Sequence, residues 1–394
     1  MTSKGIDRRT LVALGGAAAL SWTTNAGAQG AVRFGVIEIG ASGVKSSALT
    51  FTRAQLHEPR GEHERGQNAA ASDRFDANIV GSFNDNPNVR DPAQIDATVD
   101  SVARAQVRLH DEFNVANDKI VVVGSSSVDA LGHRDRLLAA LRQRRIDVDF
   151  VTPAQEAEYL FRWIVLPNRW NQAMTIDIGS GNTKGGYILN PGPHEGFQSF
   201  NIPDGSRSLA QRTDAASHNA EGQAWNNALV AQAATFIDGP ARQQLNNSPA
   251  LDQMERCYLV GGAAWAMTSV MHPGESVDDS THWVALSFRD ISAFREVAYA
   301  GVAIDPDHNP GLAARLARLR SQSPDAEQRA RALLRQVGAA ISPSQMKAGA
   351  EILSVLSRRF NFAGKDVLSF SKEGLYAWST MYLLTKLNMA PGAH

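Results

Sequence analysis

The apolar positions of this chain change their period along its length, and the changes mark its elements. "VIEIGASGVKSSALTF" reads as strand, glycine turn, strand, and predicts a hairpin over residues 31–51. "TIDIGSGNTKGGYIL" repeats that build and predicts a second hairpin over residues 174–189. Between them, "DPAQIDATVDSVARAQVRLHDEF" has helical spacing, with Asp91 and Pro92 at its start. "KIVVVGSSSVDAL" is a buried, parallel-type strand running into a small-residue turn, and "HRDRLLAALRQRR" is a short helix. "IDVDFVTPAQEAEYLFRWIVL" passes from a strand into a helix that begins near Thr152, with Pro153 at its first position and Glu156 in its first turn. A third strand follows in "FQSFNIPDGSRSLAQR", and "CYLVGGAAWAMTSVM" reads as a strand, a Gly-Gly turn and a helix start. From Gly311 onward the pattern is mostly helical, in "GLAARLARLRSQ", "DAEQRARALLRQVG", "SPSQMKAGAEILSVLSRRF" and "EGLYAWSTMYLLTKL". Polar residues 52–92 read as strand edges and long loops. Strands mixed with helices imply an α/β architecture, and the doubled hairpin implies duplication of whole domains, each opened by one hairpin.

The 394 residues allow two or three domains, and a formal net charge of -1 gives none of the broad basic field that a nucleic-acid or membrane-surface binder needs. Neither nucleic acid nor membrane is expected as a partner of the mature chain, and a homodimer stays open. The single cysteine, Cys257, excludes an internal disulfide and an all-thiolate zinc site, and in "CYLVGG" it reads as a small buried hydrophobe. The first residues have the layout of an export signal: a basic start, an apolar run from Leu11 to Trp22 too short to span a bilayer, and Ala26-Gly27-Ala28 before Gln29. The Arg8-Arg9 pair ahead of a Gly- and Ala-diluted apolar run suggests the twin-arginine route, with a Sec signal as the alternative. A signal over residues 1–28 predicts a mature protein starting near Gln29 that is periplasmic or secreted.

The two hairpins carry the candidate chemistry. A glycine-rich turn exposes consecutive backbone N–H groups and lets them approach a phosphate without a Cβ in the way. Glu38 and Asp177, each at a strand end just before the glycine, are placed to hold Mg²⁺ or another divalent cation, which would bridge to phosphate. Ser42, Ser180, Asn182 and Thr183 add side-chain donors, and Lys45 and Lys184 add positive charge beside the same turns. Two such loops on two domains, facing each other, would clamp one phosphate chain in a cleft.

With these motifs in order, the chain resembles the exopolyphosphatase / guanosine pentaphosphate phosphatase family (Ppx/GppA) of the actin-like ATPase superfamily. "FGVIEIGASGVKSSAL" is similar to the family's first phosphate loop, "VVVGSSSVDALGHRDRLLAAL" to its strand with a Thr-Ser-Ala turn, and "TIDIGSGNTKGGYI" to its second loop. "TPAQEAEYL", just ahead of "IDIGSGNTK", resembles the segment that carries its catalytic glutamate, which actin, chaperone and sugar-kinase relatives lack at that place. The resemblance implies an α/β fold of two actin-like (ribonuclease H-like) domains around an interdomain cleft, at residues 31–153 and 154–345, with C-terminal helices over 346–394 packing on both. It implies Glu156 as the residue that orients and deprotonates the attacking water, and Asp177 with Glu38 as the metal holders. Phosphate binding would fall to Gly40, Ala41, Ser42, Gly43 and Lys45 in the first loop, to Ser125 and Ser126, and to Gly179, Ser180, Gly181, Asn182, Thr183 and Lys184 in the second. The implied substrate is a phosphate chain.

Three positions depart from the family pattern. Glu38 stands where the family has aspartate, Asp129 where it has an arginine, and Lys184 where it has a glutamate. One reading is a charge swap, in which Lys184 supplies the lost arginine's charge and pairs with Asp129. The other is drift towards a protein that binds a phosphate chain or nucleotide without cleaving it. A kinase or actin-like ATPase is disfavoured by the glutamate segment.

Overall fold

The computed structural model describes residues 32–41, 43–51, 78–85, 87–189, 196–238, 240–246, 249–278 and 281–387. The export signal expected over residues 1–28, and Ser42 of the first turn, lie outside the described residues. The described residues fall into two compact units: one holds residues 32–51, 78–124 and 131–150, and the other holds 125–130 and everything from Val151 on.

The first unit is built on a five-stranded sheet ordered β3-β2-β1-β4-β5. Its strands are β1 (Val32–Gly40), β2 (Gly43–Phe51), β3 (Asn78–Asp85), β4 (Ile120–Gly124) and β5 (Asp149–Phe150). β1, β2 and β3 form an antiparallel meander, while β4 runs parallel to β1 and β5 parallel to β4. The helix Ile95–Asp111 buries Val99, Val102, Ala105 and Leu109. It lies so close to β1 that a Cβ on Gly35 would come within 2.9 Å of Leu109.

The second unit carries a six-stranded sheet ordered β10-β11-β9-β6-β7-β8. These strands are β6 (Ala173–Ile178), β7 (Thr183–Ile188), β8 (Phe197–Ile202), β9 (Arg256–Val260), β10 (Trp283–Ala285) and β11 (Val367–Ser371). β6, β7 and β8 again form an antiparallel meander, β9 runs parallel to β6, and β11 runs parallel to β9. Leaving out the antiparallel edge strand β10, the second sheet repeats the first strand for strand. The doubled hairpin is thus the opening of a doubled topology, in a mixed α/β fold.

Helix starts follow local rules that are legible in the chain. Pro153, Pro310, Pro324 and Pro343 open helices, each behind a side-chain cap from Thr152, Asn309, Ser323 or Ser342. The C-terminal stretch is not wholly helical, however. β11 enters the second sheet between β9 and the edge strand β10, and only then does the chain turn into the helix Ala377–Lys386. That helix packs on the helix Pro153–Ile164, where Tyr159 meets Tyr382 edge-on with ring centroids 6.2 Å apart. No helix among the described residues is long and apolar enough to cross a membrane.

Candidate functional site

The second hairpin turns through residues 179–182, because Ile178 pairs with Thr183 across β6 and β7. Gly179 N–H donates to Asn182 O at 3.0 Å and closes the turn. The next helix, Ser206–Ala216, docks its first N–H groups on that turn: Ser206 donates to Gly179 O at 3.0 Å, and Arg207 and Ser208 donate to Ser180 O at 3.0 and 3.1 Å. A Cβ on Gly205 would lie 2.3 Å from Gly179 O, so glycine permits this close approach. The turn's carbonyls are therefore satisfied from behind, while Gly179, Ser180 and Gly181 stay half-buried.

Glu156 reaches the same place from the helix Pro153–Ile164, whose Thr152–Gln155 capping box fixes the start of the first turn. Its Oε2 accepts from Ser126 N–H at 2.9 Å, and its Oε1 lies 2.8 Å from Lys184 Nζ. Lys184 sits on β7 directly across from Asp177 on β6, and its Nζ is also 2.8 Å from Asp177 Oδ2. Asn182 knits the group together: its Nδ2 donates to Ser126 Oγ and Asn201 Oδ1, each at 3.2 Å, and its Oδ1 accepts from Lys184 at 3.4 Å. Glu156 and Lys184 are each 3% exposed. Burial pulls the Lys184 amine down, but the Asp177 and Glu156 carboxylates outweigh it and hold the ammonium above the ordinary lysine range. The result is a buried carboxylate–ammonium–carboxylate triad.

Of the two readings of these departures, the swap does not match the pairing of Lys184. The polar partners of Lys184 are Glu156, Asp177 and Asn182, while Asp129 lies at the end of the short helical turn Ser126–Asp129. Other predicted phosphate contacts also face inward. Thr183 is fully buried and its hydroxyl donates to Asp204 O at 2.9 Å. Ser125 and Ser126 are buried, and Ser125 Oγ shares a 2.7 Å hydrogen bond with Ser127 Oγ.

The first hairpin repeats the lysine arrangement on its own unit. Lys45 stands directly across from Glu38, seven positions on, with Nζ 3.1 Å from Oε1. Asp177 and Lys184 have the same spacing and the same cross-strand register. Ala41 and Gly43 are buried, whereas Gly40 and Lys45 are half-buried.

Mg²⁺ takes oxygen ligands at about 2.1 Å in near-octahedral geometry. Of the two expected metal holders, Asp177 has its Oδ2 2.8 Å from the Lys184 ammonium and Glu38 has its Oε1 3.1 Å from the Lys45 ammonium, so a dication at either would meet a charge of its own sign. Among the described residues no three His, Cys, Asp or Glu side chains are gathered as a metal set. As arranged, these residues do not fit the expected Mg²⁺.

Two residues were not singled out from the chain. Arg207 follows the turn-capping Ser206; its guanidinium is half-buried, meets no carboxylate among the described residues, and burial lowers its pKa. Gly261, at φ +87°, leaves room for Asp177, since a Cβ there would be 2.4 Å from Asp177 Oδ1. The "DGSR" and "VGGA" strings carry both, but only the fold brings them to the turn.

No family model matches this chain, and no curated protein matches it either. Among solved structures, its fold is similar to that of a Ppx/GppA family member from Aquifex aeolicus, with a TM-score of 0.50 at 15% identity over 91% of this chain and 99% of that one. It is also similar to an exopolyphosphatase from Cytophaga hutchinsonii, with a TM-score of 0.57 at 14% identity and the same coverage of 91% and 99%. An exopolyphosphatase-like protein gives a TM-score of 0.55 at 14% identity over 88% and 98%. The resemblance drawn from the motifs therefore has its counterpart in the fold.

Proposed function

We propose that this chain is an exported hydrolase of phosphoanhydride bonds, of the exopolyphosphatase type, that releases terminal phosphate from inorganic polyphosphate or a related polyphosphorylated compound. The observation that carries this reading is the placing of Glu156 in one hydrogen-bonded cluster with Asn182 of the glycine turn, by way of Ser126 and Lys184. A basic, apolar, small-residue leader supports export. In the reaction, water attacks the terminal phosphorus, Glu156 takes the water's proton, and the bond to the bridging oxygen breaks with the shortened chain as leaving group. The half-buried turn at Gly179, Ser180 and Gly181 positions the phosphate, and Arg207 supplies a cation for its charge.

A second reading, binding without cleavage, is favoured by one observation: Glu156 is 3% exposed, with Oε1 on Lys184 and Oε2 on Ser126 N–H. The two readings separate in one experiment on the full chain with inorganic polyphosphate. Phosphate release that is lost in Glu156→Gln, with binding retained, supports the hydrolase. Binding with no release by the wild type makes the chain a phosphate-chain binder, and absence of both ends the proposal.

A further inference from the structure

We infer that Lys184 is a built-in cation that stands in for a divalent metal, so that the second turn takes its phosphate ligand without one. The inference rests on the phosphate-chain reading for the ligand alone; the metal part stands on geometry. Lys184 Nζ is 2.8 Å from a carboxylate oxygen of both Glu156 and Asp177. Its position is fixed by the sheet, not by a mobile loop, because β6–β7 register sets Lys184 opposite Asp177. Gly261 lies beside Asp177: a Cβ there would stand 2.4 Å from Oδ1. An incoming dication thus meets an ammonium already seated on Glu156 Oε1 and Asp177 Oδ2.

An independent observation points the same way. In the first unit, the equivalent acid, Glu38, faces the equivalent lysine, Lys45, in the same register and at 3.1 Å. Each hairpin therefore reads as acid, Ile-Gly, four residues, lysine, with the lysine folded back on the acid. The ammonium spends its three N–H donors on Glu156, Asp177 and Asn182, and so neutralises charge at a fixed place without a free ion. It also keeps Asp177 and Glu156 compatible with burial, which two unpaired carboxylates are not.

The test is a titration of the full chain with Mn²⁺ alone, followed by electron paramagnetic resonance of the free ion, and a parallel measurement of inorganic polyphosphate affinity with and without EDTA. The wild type is expected to show no Mn²⁺ site tighter than about 1 mM, the weak end of protein oxygen sites. Lys184→Glu, which places a third carboxylate in the set, is expected to create one site per chain. EDTA is expected to change wild-type polyphosphate affinity less than about twofold, since the cation is covalent. A wild-type Mn²⁺ site that Asp177→Asn abolishes overturns the inference, as does a tenfold loss of polyphosphate affinity in EDTA that Mg²⁺ restores. The wild-type arms decide the matter even if Lys184→Glu does not fold. If polyphosphate fails to bind under every condition, the proposed function falls, and the Mn²⁺ titration still judges the lysine.

Discussion

Lys184→Met tests the triad most directly. Methionine nearly matches the lysine stem in volume but removes the ammonium, leaving Glu156 and Asp177 side by side without a counter-charge. Both are now paired at 2.8 Å, and Glu156 and Lys184 side chains are each 4% exposed, with Asp177 at 13%, so solvent does little to screen the loss. Breaking a buried ion pair by deleting one partner costs about 3–5 kcal/mol. At about 2–4 °C per kcal/mol for a unit of this size, the second unit should melt on the order of 10 °C lower at neutral pH. The loss should shrink on acidification, because a folded state with two crowded carboxylates takes up a proton more readily than the unfolded chain does. The combined variant Glu156→Gln, Asp177→Asn, Lys184→Met should recover much of the deficit, since neutral groups of similar shape need no counter-ion. Calorimetry of the full chain at about pH 7 and about pH 5 measures all three. A Lys184→Met melt within about 1 °C of wild type would refute the reasoning, because the ammonium would then contribute no net stability.

Further outcomes follow from the same geometry. The raised folded-state pKa of Lys184 means that its stabilisation is fully present below the ordinary lysine value of 10.5 and fades only as pH climbs through the raised value. The stability gap between wild type and Lys184→Met, read by urea melts, should therefore stay level from about pH 8 to about pH 10; a gap that closes in that window contradicts the pairing. Arg207→Gln should weaken polyphosphate binding by about 10- to 100-fold, the value of a charged hydrogen bond, with the melt unchanged; calorimetric titration showing equal affinity removes Arg207 from the site. Gly261→Ala should cost about 1–3 kcal/mol or more, because a side chain at φ +87° is strained and its Cβ meets Asp177 Oδ1 at 2.4 Å; a variant as stable as wild type would show that the turn relaxes freely. Glu156→Gln should lower phosphate release by about 10²–10⁴-fold if the glutamate acts as a base, and an unchanged rate in a phosphate-release assay rules that role out.

Local chemistry was written plainly in the chain. Alternating apolar residues around glycine mark both hairpins, and Thr152, Pro153 and Gln155 fix a helix start that puts Glu156 in its first turn. Those signals act over a few residues and hold whatever surrounds them. β11 was not legible: five residues at 367–371 sit inside a helix-rich stretch, and only their place between β9 and β10 makes them a strand. The acid–lysine spacing was visible too, yet it suggested two cations turned towards a phosphate. What turns Lys184 inward is its position opposite Asp177 and beside Glu156, residues brought together by sheet pairing and by helix packing on that sheet. A buried ammonium is stable only where carboxylates close around it, and which residues do so depends on contacts distant in sequence, which the tertiary structure alone decides.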